Sequence, residues 1–217
     1  MNTLSIKECL LFGWNTFKQR PWFFVGTFAL YAVLQIVLSM LQKVLPGFVS
    51  FLLSMIVSTL LYIGLITIYL KAHADPKSPQ YADFWRPSLF WRYLGASLLL
   101  AVIVIVGLVL LIVPGVILAL MLAFTGYLVV DKGMDPIAAM KESARLTKGN
   151  RVKLLLLGIT LLVLSILGAI PLFLGLLVVG PISMLAGVHA YRTLEKTAAV
   201  HSSTPATPAS APSSPVV

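Results

Sequence analysis

Histidine is the side chain most often used for proton transfer and metal binding near neutral pH, and this chain has three. His73 and His201 fall in polar segments, whereas His189 lies near the end of a long apolar run. A protein metal site needs several Cys, His, Asp or Glu ligands at suitable spacing, and none of the three histidines has such neighbours. We therefore predict that they are interfacial polar residues and that the protein binds no metal.

Two carboxylates, Asp131 and Asp135, flank Gly133 and are close enough in sequence to suggest acid–base chemistry. Asp135, however, stands directly before Pro136, an order typical of a residue that caps a helix N-terminus. The chain has neither a Gly-x-Ser-x-Gly nucleophile motif nor a glycine-rich phosphate loop. The sequence therefore predicts no catalytic residue, no enzymatic activity and no cofactor.

The segment 135–149 carries a cluster of basic residues. Asp135 as N-cap, Pro136 at the first helical position and Gly149 just past the end define an amphipathic helix. Its basic residues, with two that follow it, are Lys141, Arg145, Lys148, Arg151 and Lys153. Two interpretations are open: these side chains bind anionic lipid headgroups at the cytoplasmic leaflet, or they only enforce topology.

The composition of the whole chain indicates what kind of environment surrounds such a helix. The 217 residues are 59% hydrophobic and only 11% charged, less than half of the roughly 25% usual in soluble domains. This composition excludes a soluble enzyme, a nucleic-acid-binding module and a disordered protein, because each needs far more polar residues. The single cysteine, Cys9, excludes an intramolecular disulfide.

Four uncharged runs indicate how often the chain crosses the membrane. The runs at 21–42 and 44–70 are each long enough for one crossing of a hydrocarbon core about 30 Å thick. The runs at 93–130 and 154–191 would each form a helix nearly twice as long as the core. Each of these two should therefore fold back on itself as a helical hairpin.

These runs predict an all-α polytopic membrane domain over residues 1–196, with six transmembrane helices arranged as three hairpins at 21–70, 93–130 and 153–191. Proline and glycine mark the predicted turns, at Pro46, Gly47, Pro114, Gly115 and Pro171. An amphipathic stretch precedes each hairpin and should form an interfacial helix, at 5–20, 80–92 and 135–151. The Pro-, Ser- and Thr-rich residues 197–217 should form a disordered tail.

The second and third predicted turns are unusually apolar. Leu110 to Ile117 contains no polar side chain, whereas a turn in water normally shows Asn, Asp or Ser. The tips either reach the headgroups of the outer leaflet or stop short as membrane wedges.

Basic residues set the expected orientation. Of the 16 Lys and Arg residues, all except Lys43 fall on one side of the predicted hairpins. By the positive-inside rule, both termini should face the cytoplasm. Topology and contact with anionic lipid account for the net charge of +9, so we predict no nucleic-acid partner.

The connection between the fourth and fifth predicted helices carries a recurrent signature. It reads Tyr-Leu-Val-Val-Asp-Lys-Gly-Met-Asp-Pro-Ile over 127–137, then Ala-Met-Lys-Glu-Ser over 139–143 and Leu-Thr-Lys-Gly-Asn over 146–150. This string is similar to uncharacterised bacterial YciC-like six-helix inner-membrane proteins, and to the membrane domain that accompanies some glycerophosphodiester phosphodiesterases. The resemblance implies a multi-pass protein of the bacterial cytoplasmic (inner) membrane, all-helical and without assigned catalysis. No stretch of these residues could form the phosphodiesterase's soluble domain, so its activity is not implied.

The sequence thus predicts a non-enzymatic accessory or scaffold protein that contacts anionic lipid, with an unidentified protein partner and the oligomeric state left open. One alternative is a transporter or channel for an uncharged or amphiphilic substrate, and another is a membrane-shaping hairpin protein. The predicted crossings contain no ionisable residue, which argues against ion-coupled transport. Gly115, Ala119 and Ala123, spaced four apart, should hold helices together. An internal, water-accessible cavity would favour transport, and its absence would favour a scaffold or wedge.

Overall fold

A computed structural model describes residues 4–170 and 175–203, with side chains described as far as residue 200. Within these ranges the only regular elements are helices, so the predicted all-α architecture is confirmed. Short 3₁₀ helices at Tyr81–Phe84 and Pro87–Leu89 separate α3 from α4. The α-helices are α1 (Ile6–Gln19), α2 (Pro21–Leu41), α3 (Gly47–Ala74), α4 (Phe90–Leu110), α5 (Ile112–Met121), α6 (Thr125–Lys132), α7 (Pro136–Thr147), α8 (Arg151–Ala169) and α9 (Leu176–Ser203).

Several helical segments are long and apolar enough to cross a membrane. The described residues contain five: Pro21–Leu41, Gly47–Ala74, Tyr81–Leu110, Ile112–Lys132 and Arg151–Ala169. These segments indicate a membrane protein. α9 is not among them. A sixth crossing, and with it the arrangement of three full hairpins, stays a prediction.

Consecutive helices pack side by side as α2 with α3, α4 with α5, and α8 with α9. The first turn lies between Leu41 and Gly47, with Pro46 directly before α3. The prediction of the second turn at Pro114 and Gly115 is wrong. The chain reverses at the extended Leu111, where φ is −162° and ψ is 137°.

Pro114 and Gly115 instead lie in the first turn of α5. A missing proline N–H is tolerated there because the first N–H groups of a helix have no helical acceptor. Gly115 allows close packing on α4, since a Cβ at this position would lie 2.6 Å from the backbone nitrogen of Leu108. The predicted turn residue Pro171 lies outside the described residues.

The stretches that precede the hairpins differ from one another. α1 buries Cys9 and Gly13 against protein, because a Cβ at Gly13 would lie 2.8 Å from the carbonyl oxygen of Ile182 in α9. The stretch 80–92 is not the single interfacial helix that we predicted. Pro87 lacks the backbone donor that a continuous helix would need, so two short 3₁₀ helices and the start of α4 take its place.

Burial is concentrated at one end of the bundle, which we call the basic end. It consists of α7, the part of α9 from Pro181 onward, the last turns of α3 and α6, and the first turns of α4 and α8. Leu65, Leu128 and Leu185 are fully buried there. At the opposite end Val109 is 81% exposed and Leu110 is 72% exposed. Helices from all parts of the chain therefore meet at the basic end.

α9 runs past the predicted domain boundary at 196 as far as Ser203, so the predicted disordered tail begins too early. Ala198 and Ala199 favour a helix, and the Thr197 hydroxyl donates to the carbonyl of Thr193 at 2.9 Å. The remainder of the predicted tail lies outside the described residues.

Candidate functional site

The segment Ile112–Lys132 is broken near its middle, between α5 and α6. Leu122 and Phe124 both leave helical geometry, with ψ values of 6° and 5°. The Thr125 N–H donates to the carbonyl of Leu122 at 3.1 Å rather than to that of Met121. The break therefore releases the Met121 carbonyl and the Phe124 N–H from the regular helical ladder.

Two hydroxyl groups of α7 bind the released backbone groups. Ser143 Oγ accepts from the Phe124 N–H at 3.1 Å and donates to the Met121 carbonyl at 2.8 Å. Thr147 Oγ1 lies 3.3 Å from the same carbonyl and 3.0 Å from the Ser143 carbonyl. Both side chains are completely buried. An unsatisfied backbone group at membrane depth is costly. By binding these groups, α7 completes the interrupted candidate span Ile112–Lys132, which we call the broken crossing.

The opposite face of α7 carries the predicted basic residues. Lys141, Arg145 and Lys148 are all exposed. Arg145 makes a bidentate pair with Glu142, at 2.8 and 2.7 Å, and its hydrogen bond lowers the pKa of that carboxyl below its ordinary value. Lys141 and Lys148 have no ion pair within 4 Å in the described part of the chain. Their charges are therefore more available than that of Arg145.

The predicted cap residues flank α7, with bounds shorter than the predicted 135–149. Asp135 precedes the helix with extended backbone and Pro136 begins it, but the Asp135 carboxylate makes no capping hydrogen bond. Its Oδ1 instead lies 3.5 Å from Arg92 Nε, and Arg92 also donates to the Gly133 carbonyl. Gly149, after the helix end at Thr147, has a φ of +83°, which glycine adopts without strain.

Arg151 and Lys153 lie in the first turn of α8, and both are half-buried. Arg151 Nε is buried and has no hydrogen-bond partner among the described residues. The predicted group of five basic residues therefore divides into two exposed lysines, one paired arginine and two half-buried cations.

An ion-pair cluster joins α6 to α9. Asp131 accepts two hydrogen bonds from Arg192, at 2.7 and 2.8 Å, and a third from the Tyr191 hydroxyl at 2.9 Å. Glu195 pairs with Arg192 at 2.9 Å and with Lys132 at 2.6 Å. Burial alone would raise the pKa of Glu195, but hydrogen bonds from Lys132 and Arg192 lower it below its ordinary value. Asp131 thus acts as a structural link between distant helices.

Two of the three histidines meet although they are far apart in sequence. His73 Nε2 and His189 Nδ1 are 3.2 Å apart, and the ring of Phe12 stacks on His189 with centroids 4.3 Å apart. This contact joins α1, α3 and α9. No group of three metal-ligating side chains occurs within the described residues, and the side chain of His201 lies outside them.

A cavity of about 280 Å³ lies where α3, α4 and the broken crossing meet. All of its lining residues are uncharged, and the polar ones are Tyr62, Tyr93, Ser97, Thr125 and Tyr127. Thr125 is 1% exposed, and its hydroxyl has no hydrogen-bond partner in the described part of the protein. Gly115 makes the close helix contact that we predicted, and Ala119 and Ala123 line this cavity.

A second, polar recess of about 270 Å³ lies beyond the cavity toward the basic end. Its lining includes Lys71 of α3, Asp131 of α6, Arg192 of α9 and the exposed Arg86. The cavity and the recess follow the same face of α6, because Tyr127 lines the first and Asp131, one turn later, lines the second. They therefore lie about one helical turn apart along α6.

Comparison with known proteins gives a family for this chain. Residues 89–217, more than half of the sequence, match the model of a "Domain of unknown function (DUF7847)". The chain belongs to the DUF7847 family. It is also 29% identical over 170 residues to the uncharacterized proteins Rv2560 of Mycobacterium tuberculosis and Mb2590 of Mycobacterium bovis. These alignments cover 74% of the chain and 52% of each relative, so it spans about half the length of the curated relatives. No solved structure matches it.

The DUF7847 match begins next to α4 and therefore includes the broken crossing, α7 and the cluster around Asp131. Tyr62 and Lys71, which line the cavity and the recess from α3, precede the matched region. None of the matches concerns YciC-like proteins or phosphodiesterase-associated domains, so that resemblance stays a prediction.

Within the DUF7847 region, sequence reasoning identified the bounds of α7 closely but missed the role of its inner face. The available signal was Ser143 and Thr147, four residues apart on a face that also carries Ala139 and Met140. Hydroxyl residues on the buried side of an interfacial helix need acceptors, and a neighbouring broken helix can supply them.

Proposed function

We propose that this DUF7847 protein is a non-enzymatic membrane scaffold that binds anionic lipid headgroups through α7 and the start of α8. The observation that carries the proposal is the two-sided character of α7. Ser143 and Thr147 fix its inner face to the broken crossing, while Lys141 and Lys148 project outward without ion pairs in the described structure. A helix held in this way presents its charges in a fixed arrangement at the membrane surface.

The proposed headgroup site consists of Lys141, Lys148, Arg151 and Lys153, with Arg145 in a lesser role. Each basic residue close to an anionic surface contributes about 1 kcal/mol of attraction. Arg145 should contribute less, because its bidentate pair with Glu142 already compensates its charge. The structure thus supports a narrower site than the five residues predicted from sequence.

The proposal includes a location and an orientation. We place the protein in a bacterial cytoplasmic membrane with both termini in the cytoplasm. Support comes from the distribution of the 16 basic residues, of which only Lys43 falls on the opposite side. A protein partner that docks on the same face would be compatible with a scaffold role.

Native mass spectrometry of protein released from micelles containing phosphatidylglycerol and phosphatidylcholine tests the headgroup site. The combined variant Lys141→Gln, Lys148→Gln and Lys153→Gln should retain less phosphatidylglycerol than the parent. Arg145→Gln is the comparison within the same helix and should lower retention less than Lys141→Gln alone, because Arg145 is already paired with Glu142. If the triple variant kept the parent's occupancy, these charges would serve topology alone.

A second candidate function, the binding or transport of an uncharged or amphiphilic substrate, is favoured by the cavity. A scaffold or a membrane wedge needs no internal space, whereas a path or binding site for a substrate does. The absence of charged residues from the cavity lining agrees with a ligand whose buried part is uncharged.

A further inference from the structure

The hydroxyl of Thr125 marks the interhelical cavity as a ligand site. It is buried, lines the cavity, and has no hydrogen-bond partner within the described residues. Buried polar groups are normally satisfied, and leaving one unpaired costs roughly 1–3 kcal/mol. By contrast, the hydroxyl of Ser97, on the same cavity wall, already donates to the Leu94 carbonyl at 2.9 Å. Thr125 is therefore available to donate to an acceptor on a bound molecule.

Along α4 and α6, two of the helices that line the cavity, polarity changes in one direction. The hydroxyl-bearing residues Tyr93 and Thr125 lie toward the basic end, and Leu100 and Val104 line the cavity farther along α4. Tyr93 and Val104 are eleven positions apart, which corresponds to roughly 16 Å of helix. This order matches a glycerolipid, in which polar ester groups lie near the headgroup and a hydrocarbon chain follows.

The cavity is accessible from the side of the bundle. Ala119 and Ala123 both line it, and both are exposed. Because their side chains are small, they leave an opening between helices at membrane depth. A lipid could therefore enter laterally from the bilayer without passing through water.

The polar recess provides a place for the phosphate. It begins one helical turn, about 5.4 Å, beyond the cavity along α6. Lys71 and Arg192 in its lining are paired with Asp83 and Asp131, whereas Arg86 has no ion pair within 4 Å in the described structure. Arg86 is therefore the cation in this recess that is most available to an added anion.

We infer that the cavity and the recess together bind one anionic phosphoglyceride of the cytoplasmic leaflet. Its phosphate contacts Arg86, an ester carbonyl accepts a hydrogen bond from Thr125, and one acyl chain extends along α4 toward Val104. This site uses none of the residues proposed for the surface of α7, so either site can fail without the other.

Native mass spectrometry with dioleoyl phosphatidylglycerol, and with its dialkyl ether analogue, tests the inference on the full-length chain. Ala123→Leu should block the opening and abolish retention of one phosphatidylglycerol. Ala101→Leu is the matched control, because it adds the same atoms to an exposed position on α4 that does not line the cavity. Arg86→Gln should weaken retention about fivefold, as expected for a loss of about 1 kcal/mol.

The proposed hydrogen bond from Thr125 to an ester carbonyl of the lipid is tested by a separate comparison. The parent should retain the diester more strongly than the ether analogue, by about three- to tenfold, and Thr125→Val should remove this preference. This comparison needs only the parent protein if Ala123→Leu fails to fold. Equal retention in Ala123→Leu and the parent would overturn the site, and equal retention of ester and ether lipid would overturn the role of Thr125. Loss of the α7 site alone would leave both results unchanged.

Discussion

The two segments that meet at the cavity, α3 and α5–α6, satisfy their polar groups in opposite ways. α3 is continuous from Gly47 to Ala74, and its buried Thr67 hydroxyl donates within the helix to the Ile63 carbonyl at 2.9 Å. α5 and α6 are interrupted, and their released backbone groups bind Ser143 of α7. The buried Thr125 hydroxyl, one position after the break, has no partner in the described structure.

The difference shows how a membrane helix becomes dependent on a neighbour. A continuous helix needs no help with its backbone, because every interior group is paired inside the segment. A broken helix is stable only when another element supplies donors and acceptors at the break. In an energetic sense, α7 therefore belongs to the segment formed by α5 and α6. A requirement of the backbone positions its outward basic face.

The largest effect should come from removing the hydroxyls that complete the broken crossing. Ser143→Ala combined with Thr147→Val leaves the Phe124 N–H and the Met121 carbonyl unpaired, which should cost about 1–3 kcal/mol for each group. The thermal midpoint in detergent measures this loss. Thr67→Val is the control, because the Ile63 carbonyl keeps its place in the α3 ladder. Similar losses in both variants would remove the distinction between the two segments.

A smaller effect is expected from the cluster that fastens α6 to α9. Asp131→Asn removes a carboxylate that accepts three hydrogen bonds and leaves Arg192 only partly compensated by Glu195. We expect a loss of about 1–3 kcal/mol, measured by the same thermal midpoint. Arg145→Gln breaks an exposed pair instead and should cost less than about 1 kcal/mol. Equal losses would show that the cluster is no more important than a surface ion pair.

The same cluster should make stability depend on pH. Because Lys132 and Arg192 lower the pKa of Glu195 in the folded state, its contribution is fully present above the unfolded pKa, about 4.3. The contribution is lost as the pH falls through the lower, folded pKa. The thermal midpoint of the parent should therefore decrease below about pH 4.3 more steeply than that of Glu195→Gln. Parallel curves would contradict the assignment to this residue.

The smallest effect is expected from single cysteine substitutions, which probe by maleimide labelling the turns that precede α3 and α5. Cys9 is buried, and burial raises the pKa of its thiol to about 11, so it should not react with a membrane-impermeant maleimide in intact cells. Because Cys9 does not react, labelling reports only on an introduced cysteine. Val44→Cys and Leu111→Cys should both be labelled from outside, the second more slowly because its surroundings are apolar. Protection of Leu111→Cys from both sides would instead indicate a hairpin that stops within the bilayer.

The sequence was informative where a local pattern determines the structure. Charge-free runs predicted the apolar segments, and Asp135, Pro136 and Gly149 bracketed α7 because caps and left-handed glycines are local features. The break between α5 and α6 was not predictable in this way, since Leu122, Ala123 and Phe124 include neither proline nor glycine. The groups that the break releases bind Ser143, about twenty positions away, and no local pattern contains this contact.

The site was less predictable than the fold for the same reason. The lysines of α7 could be chosen from their spacing, but the pairing of Arg145 with Glu142 depends on side-chain geometry. The cavity combines Tyr62 from α3 with Tyr93 and Thr125 from later helices. Each of these residues alone resembles an ordinary interfacial or interior residue of a membrane helix, and only their meeting distinguishes them.

The dependence of the broken crossing on α7 also has a consequence for biosynthesis. Chains emerge from the ribosome N-terminus first, so α5 and α6 are made before Ser143 exists. Until α7 docks, Ser143 cannot bind the Met121 carbonyl or the Phe124 N–H. α1 waits longer still, because the helix that covers Gly13 is α9, the last to be synthesised among the described elements. Assembly of the described helices is therefore completed only after α9 has been made, when late helices close over early ones.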